Sequence, residues 1–252
     1  MPFEPVTSEK LSRGVVRQIE ELILRGVLSP GDRLPAERDL AERLEVSRPS
    51  LREALGELQE NGLLVARAGA GVFVADVLGS AFAPALVELF SRHDRALFDT
   101  LAFRRDMEGL AAERAAREGS DADLAVIAAI FGQMDAGRQG AEADAALDAR
   151  FHLAIVEASH NVILLHMMRS MYDLLRQGVF YNRQAMFERG GTEDLLEQHR
   201  AINDALQRRD AAGARAAVVA HLDYVEAALT DLRRAQENEA VARRRLQQVS
   251  AG

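Results

Sequence analysis

The N-terminal part of the chain carries hydrophobic residues with the period of an α-helix. Between residues 9 and 26, apolar side chains recur every three or four positions: Leu11, Val15, Ile19, Leu22 and Ile23. This spacing places them on one face of an amphipathic helix. A Ser-Pro-Gly-Asp run at 29–32 predicts a turn. A second helix is then expected to open at Leu34–Arg38 and to end near Leu44.

A third helix and a β-hairpin complete this region. Ser47 is a suitable N-cap, because a serine hydroxyl can accept a hydrogen bond from a free backbone N–H of the first turn, and Asn61-Gly62 is a suitable helix end. The apolar stripe between them is Leu51, Leu55 and Leu58. Two β-like runs, 63–67 and 72–75, flank a glycine-rich link and predict a hairpin. Three helices followed by a hairpin indicate a winged helix-turn-helix, which is a DNA-binding fold.

The remainder of the chain is helical by the same criterion. Polar or glycine-containing breaks interrupt the pattern near 119–121, 137–140, 160–161, 190–192 and 209–210. The expected fold is therefore mainly α, with an all-α bundle of six to seven helices after the winged helix-turn-helix. The predicted domains are a DNA-binding domain over 1–76, a linker and short helix over 77–95, an all-α effector domain over 96–235 and a charged tail over 236–252.

Composition narrows the functional classes. The chain has 252 residues and no cysteine, which excludes disulfides and thiolate zinc sites. It shows neither a signal peptide nor an apolar run of the roughly 20 residues that a membrane span needs, so we expect a cytoplasmic protein with no membrane partner. The net charge is −8, and residues 1–76 hold 10 basic against 13 acidic side chains. DNA binding must therefore depend on the local placement of arginines.

The arginines of the predicted DNA-binding domain have that placement. Arg48 and Arg52 lie four residues apart on the third helix, where an arginine fork can pair with guanine in the major groove. Ser47 and Ser50 lie at the start of the same helix, where hydroxyl and backbone N–H groups meet phosphates. The full predicted DNA-binding set is Arg38, Ser47, Arg48, Ser50, Arg52, Arg67, Gly69 and Gly71.

Three helices of the predicted bundle carry polar residues on faces that should be buried. Asp148 and His152 are four residues apart, and His199 and His221 each lie on an apolar stripe of a later helix. Burying such groups without partners costs several kcal/mol. One shared metal would satisfy them, and three imidazoles with one carboxylate suit Zn, Ni, Mn or Fe. Ordinary hydrogen-bonded core histidines would account for the same pattern.

The run GDRLPAERDLAERLEVSRPSLREALGELQENGLLVARAGAGVFV resembles the winged-helix domain of the GntR family of bacterial regulators. The resemblance covers about residues 9–75 and implies that Arg38, Arg48, Arg52 and the wing around Gly69 contact DNA. It also implies a homodimer on a palindromic double-stranded operator, because two-fold proteins bind two-fold sites.

Residues 80–235 resemble the helical effector (FCD) domain of the FadR-type branch of this family. That resemblance implies one divalent metal ion per chain, with Zn as first choice, held by Asp148, His152, His199 and His221. It places Arg104 where such domains clamp an effector carboxylate, and Arg105 is the next candidate. A structural salt bridge between Arg104 and Glu108 is the plainer alternative.

Within the branch, the chain is most similar to pyruvate-sensing repressors of the pyruvate dehydrogenase complex, on the segments LVELFSRH, FRRDMEGLAAERAA and IVEASHNVILLHMMRSM. Lactate- and glycolate-responsive regulators share the scaffold. The expected function is a regulator, most simply a repressor, that senses a small carboxylate such as pyruvate, with lactate, glycolate and sugar acids as alternatives. An acyl-CoA sensor and a metal-dependent enzyme are the remaining rivals. The first suits a polar centre poorly, and the second lacks a nucleophile motif and leaves the winged helix without a purpose.

Overall fold

The structure is a computed structural model that describes residues 11–76, 93–137, 140–174 and 192–250. The chain divides into two compact units, Met1–Gly79 and Ser80–Gly252. Most of the predicted linker over 77–95 lies outside the described residues.

The first unit is a winged helix-turn-helix, as predicted. Its elements are α1 (Leu11–Leu24), α2 (Glu37–Arg43), α3 (Arg48–Glu60), β1 (Leu64–Arg67) and β2 (Gly71–Val74). The two strands pair antiparallel from Leu64 opposite Val74 to Arg67 opposite Gly71. The apolar stripes of α1 and α3 form the core together with Leu64 and Val74. Ser47 caps α3 by accepting from the backbone N–H of Ser50 at 3.2 Å, which fixes where the third helix begins.

Helix α2 begins later than the sequence pattern predicts. We expected it to open at Leu34–Arg38, but its first residue is Glu37. The residues before it are already hydrogen-bonded to the wing, since Leu34 N donates to Val72 O at 2.9 Å and Arg33 forms a β-bridge with Phe73. Backbone groups committed to this bridge cannot also join a helix.

Six helices of the second unit lie within the described residues. They are α4 (Asp94–Glu118), α5 (Asp121–Asp135), α6 (Ala141–Ala158), α7 (Val162–Leu174), α8 (Thr192–Gln207) and α9 (Ala211–Ser250). Helices end and begin at the predicted breaks near 119–121, 137–140, 160–161 and 209–210, and α8 begins at the break near 190–192. Their core includes Phe151, Ile155, Met168, Ile202 and Leu222. It positions the inward faces of α4, α6, α8 and α9 against one another.

Helix α9 continues through most of the segment predicted as a charged tail. It is helical as far as Ser250, and its residues 236–249 are exposed. The helix runs antiparallel to α4, because Gly109 lies beside Arg215 and Val219 whereas Phe98 lies beneath the guanidinium of Arg233. No helix in the described part of the chain is long and apolar enough to cross a membrane.

Candidate metal centre and DNA-binding surface

Four buried side chains from three helices converge inside the second unit. Asp148 and His152 come from α6, His199 from α8 and His221 from α9. One ligand atom from each lies within 4.8 Å of the others, and all four residues are buried. This is the set predicted from the sequence, and the structure brings all of it together.

The distances within this cluster fit a shared metal ion. Nε2 of His199 lies 3.1 Å from Oδ1 of Asp148 and 3.3 Å from Nε2 of His152. The Nε2 atom of His152 is 4.0 Å from the same carboxylate oxygen. Two donors that each lie about 2.1 Å from one ion can be separated by up to about 4.2 Å. The three separations among Asp148, His152 and His199 are within this limit, and the donor set and its burial suit a divalent ion that accepts imidazole and carboxylate ligands.

Two of the histidines have an oxygen atom beside Nδ1. His221 Nδ1 is hydrogen-bonded to Oε1 of Gln198 at 2.9 Å, whereas His152 Nδ1 lies 2.8 Å from Oε2 of Glu108 without the geometry of a hydrogen bond. A proton on Nδ1 leaves the lone pair on Nε2, which is the protonation state a ligating histidine needs. Burial, and then the neighbouring His199 and His152, lower the pKa of His221 well below its usual value. His221 is therefore neutral, as metal ligation requires.

Glu108 also pairs with the predicted effector-binding arginine. Arg104 Nε donates to Glu108 Oε1 at 2.6 Å, and Nη2 lies 3.4 Å from Oε2. Burial by itself would raise the pKa of Glu108, but Arg104 and His152 outweigh it and lower that pKa to about 2. The salt bridge considered as the alternative for Arg104 is thus present. It joins this arginine to a metal-ligand histidine through one carboxylate.

Arg105 points to a different environment from its neighbour. Its guanidinium contacts Asp223 and lies 3.1 Å from Oε2 of Glu226, both on α9. These acidic residues hold Arg105 at a partly exposed position between α4 and α9. Arg104, with its side chain 12% exposed and its charge acting on His221, is the arginine associated with the cluster.

Sequence reasoning missed two members of this site. The sequence pattern predicts Glu108 only as a partner of Arg104, and it predicts no role for Gln198. A signal existed for Glu108, since it lies four residues after Arg104 and four before Ala112 on the buried face of α4. Nothing in the sequence distinguished Gln198 from other polar residues of α8.

The predicted DNA-binding residues lie on the surface of the first unit. All are exposed except Ser50, which is half-buried: Arg38, Ser47, Arg48, Ser50, Arg52, Arg67, Gly69 and Gly71. Arg52 Nε pairs with Glu37 at 2.7 Å, which links α3 to the start of α2. Arg67 lies over the ring of Phe73 at 4.4 Å and is oriented along the wing.

The wing requires glycine at its tip. Gly71 has a φ of +109°, which side-chain-bearing residues rarely adopt, and a Cβ there would lie 3.2 Å from Nε of Arg33. Arg33 therefore lies against the wing, although the sequence pattern did not identify it as part of the surface.

Two family models match the chain. The FCD domain model matches residues 99–224. The model described as bacterial regulatory proteins, gntR family, matches residues 11–74. The two matches cover the helical unit with the histidine cluster and the winged helix-turn-helix, respectively.

Curated relatives match over most of the chain. A putative L-lactate dehydrogenase operon regulatory protein of Escherichia coli (strain K12) is 38% identical over 93% of this chain and 91% of that protein. The Glc operon transcriptional activator of the same strain is 35% identical over 86% of this chain and 88% of that protein. The HTH-type transcriptional regulator LutR of Bacillus subtilis is 30% identical over 83% of this chain and 96% of that protein.

A solved structure agrees with the fold. Streptococcus agalactiae GntR aligns with a TM-score of 0.50 and 24% identity, over 85% of this chain and 98% of that one.

Proposed function

The chain belongs to the gntR family of bacterial regulatory proteins and carries an FCD domain, and we propose that its ligand is a small 2-hydroxy or 2-oxo carboxylate. Membership of this family makes it a ligand-responsive transcriptional regulator. The observation that carries this proposal is the buried Asp148, His152, His199 and His221 cluster with Arg104 beside it. L-lactate is our first candidate. A relative 38% identical to the chain is a putative L-lactate dehydrogenase operon regulatory protein, whereas pyruvate is supported by the sequence resemblance alone.

In this proposal the four clustered residues hold one divalent ion per chain, with zinc as first choice and Ni, Mn or Fe as alternatives. The bound ion would supply a Lewis-acid anchor for the carboxylate and the neighbouring oxygen of a 2-hydroxy or 2-oxo acid. Arg104, whose Nε and Nη2 pair with Glu108, would direct the remaining edge of its guanidinium to the same carboxylate. Gln198 orients His221 by accepting its Nδ1 proton, and the carboxylate of Glu108 lies 2.8 Å from Nδ1 of His152.

On the DNA side, we propose that a homodimer binds a palindromic operator through the two α3 helices. Arg48 and Arg52 reach base edges, and Ser47 with the free N–H groups of the helix start binds phosphate. Arg67 and the Gly69–Gly71 tip approach the minor groove. Effector binding changes operator affinity only as far as the effector prefers one of the two states.

Calorimetry tests the effector site directly. L-lactate, pyruvate and glycolate are titrated into metal-loaded protein, into His199→Ala and into the matched control His93→Ala, whose histidine is exposed and lies outside the cluster. We expect one acid to bind the wild type and the control with equal affinity and to lose measurable binding to His199→Ala. If none of the three acids binds metal-loaded wild type, the small-acid proposal is wrong and sugar acids become the leading candidates.

A further inference from the structure

Glu108 lies where the effector arginine and the metal cluster meet. It is 1% exposed, accepts Arg104 Nε at 2.6 Å and lies 2.8 Å from Nδ1 of His152. We propose that Glu108 sets the charge of the effector site and thereby restricts the effector to acids that carry a single negative charge. This inference rests on the proposed function, because it concerns the ligand of the same site.

The inference follows from the fixed charges around the cluster. The charges of Asp148 and Arg104 both act on His221: Asp148 raises its pKa and Arg104 lowers it. Glu108 forms an ion pair with Arg104. With neutral histidines, these three described residues carry one positive and two negative charges. A divalent ion changes the net charge of these three residues from −1 to +1, and a monocarboxylate then brings that sum to zero. A dicarboxylate would leave the same groups with a net negative charge, which is costly where they are buried.

Glu108 keeps its charge and its position in this arrangement. The guanidinium of Arg104 donates to both carboxylate oxygens of Glu108, at 2.6 and 3.4 Å, and such a pair requires the charged form of the carboxylate. Arg104 and Glu108 are four residues apart on α4, so that both point from one helix face. The carboxylate cannot move toward solvent without breaking its contacts with both Arg104 and His152.

The same contacts make Glu108 a positioning residue for the effector arginine. Nε and Nη2 of Arg104 lie 2.6 and 3.4 Å from the two carboxylate oxygens, which fixes the plane of the guanidinium. Glutamine at position 108 keeps the shape and an acceptor oxygen but removes the charge. The variant Glu108→Gln therefore separates charge selection from packing.

Oxamate and oxalate are probes of matched size with one and two negative charges. Their dissociation constants are measured by calorimetry for metal-loaded wild type, Glu108→Gln and the control Glu118→Gln, which removes an exposed charge from the far end of α4. Comparing the ratio of the two constants between proteins cancels the stronger intrinsic chelation by oxalate. We expect the oxalate-to-oxamate ratio of dissociation constants to fall by about tenfold or more in Glu108→Gln and to stay unchanged in Glu118→Gln.

An unchanged ratio in folded, metal-loaded Glu108→Gln overturns the inference and leaves the proposed function intact. If neither probe nor L-lactate binds metal-loaded wild type, the proposed function fails and the inference fails with it. Metal content and circular dichroism show whether Glu108→Gln is folded. If it is misfolded, the dissociation constants of L-lactate and tartronate are compared for wild type alone. Tartronate is the analogue of lactate in which a second carboxylate replaces the methyl group. Tartronate should bind about tenfold more weakly, and equal or tighter binding of tartronate overturns the inference.

Discussion

Replacing Gln198 by leucine tests whether the histidines are oriented for a metal. Gln198 Oε1 accepts from Nδ1 of His221 at 2.9 Å, and His221 is 1% exposed. Leucine has a similar volume but no acceptor, so the buried Nδ1–H would lose its partner, at a cost of about 1–3 kcal/mol. The imidazole would also lose the contact that keeps its proton away from Nε2. Loss of such an outer partner typically lowers metal affinity about 10–100-fold, and we expect a decrease in this range.

The assay is competition for Zn²⁺ against a chromophoric chelator at neutral pH. The matched control is Gln207→Leu, because Gln207 lies on the same helix but donates to Leu124 O at 3.0 Å and to Asn203, away from the cluster. We expect the control to bind Zn²⁺ as the wild type does. If Gln198→Leu binds Zn²⁺ within about twofold of wild type, the assigned geometry of His221 is wrong. Equal weakening in both variants would instead indicate a general loosening of α8.

Three further predictions follow from other parts of the molecule. In metal-free protein, the lowered pKa of Glu108 contributes stability that is present above pH 4.5 and is lost as the pH falls toward about 2, by about 3 kcal/mol at most. Urea denaturation of Glu108→Gln should therefore depend less on pH in that window, and an equal dependence would contradict the pairing. Arg48→Ala should weaken specific operator binding by about 1–3 kcal/mol in a mobility-shift assay, whereas Arg95→Ala, which removes an exposed charge from the other unit, should not. Truncation after Arg234 should leave the melting temperature within about 2 °C of wild type, since residues 236–249 are exposed, and a larger decrease would reveal packing of this segment.

The parts of the fold that the sequence predicted well are those set by local chemistry. Ser47 marks the start of α3 and Asn61 its end, because capping depends on residues within one helical turn. The pair Asp148 and His152 was likewise visible, since residues four apart share a helix face whatever the tertiary structure. Both predictions depend on contacts between positions close in the chain.

The predictions that failed, or were missing, depend on contacts between distant segments. The start of α2 is displaced because Leu34 pairs with Val72 on the wing, a contact that local propensity cannot indicate. Gln198 belongs to the site because α8 packs against α9, and this packing places Gln198 beside His221. The partner of a buried histidine has to be read from the packed structure, since many polar residues are equivalent in sequence.

The distribution of the site over four helices suggests how binding would be transmitted. The cluster residues come from α6, α8 and α9, whereas Arg104 and Glu108 come from α4. An acid bound both to the ion and to Arg104 would therefore connect α4 with the other three helices. Arg105 of α4 also pairs with Asp223 and Glu226 of α9, and these partly exposed ion pairs contribute little to stability. In chain order α4 is the first helix described after the DNA-binding unit, and we infer that movement of α4 carries the signal.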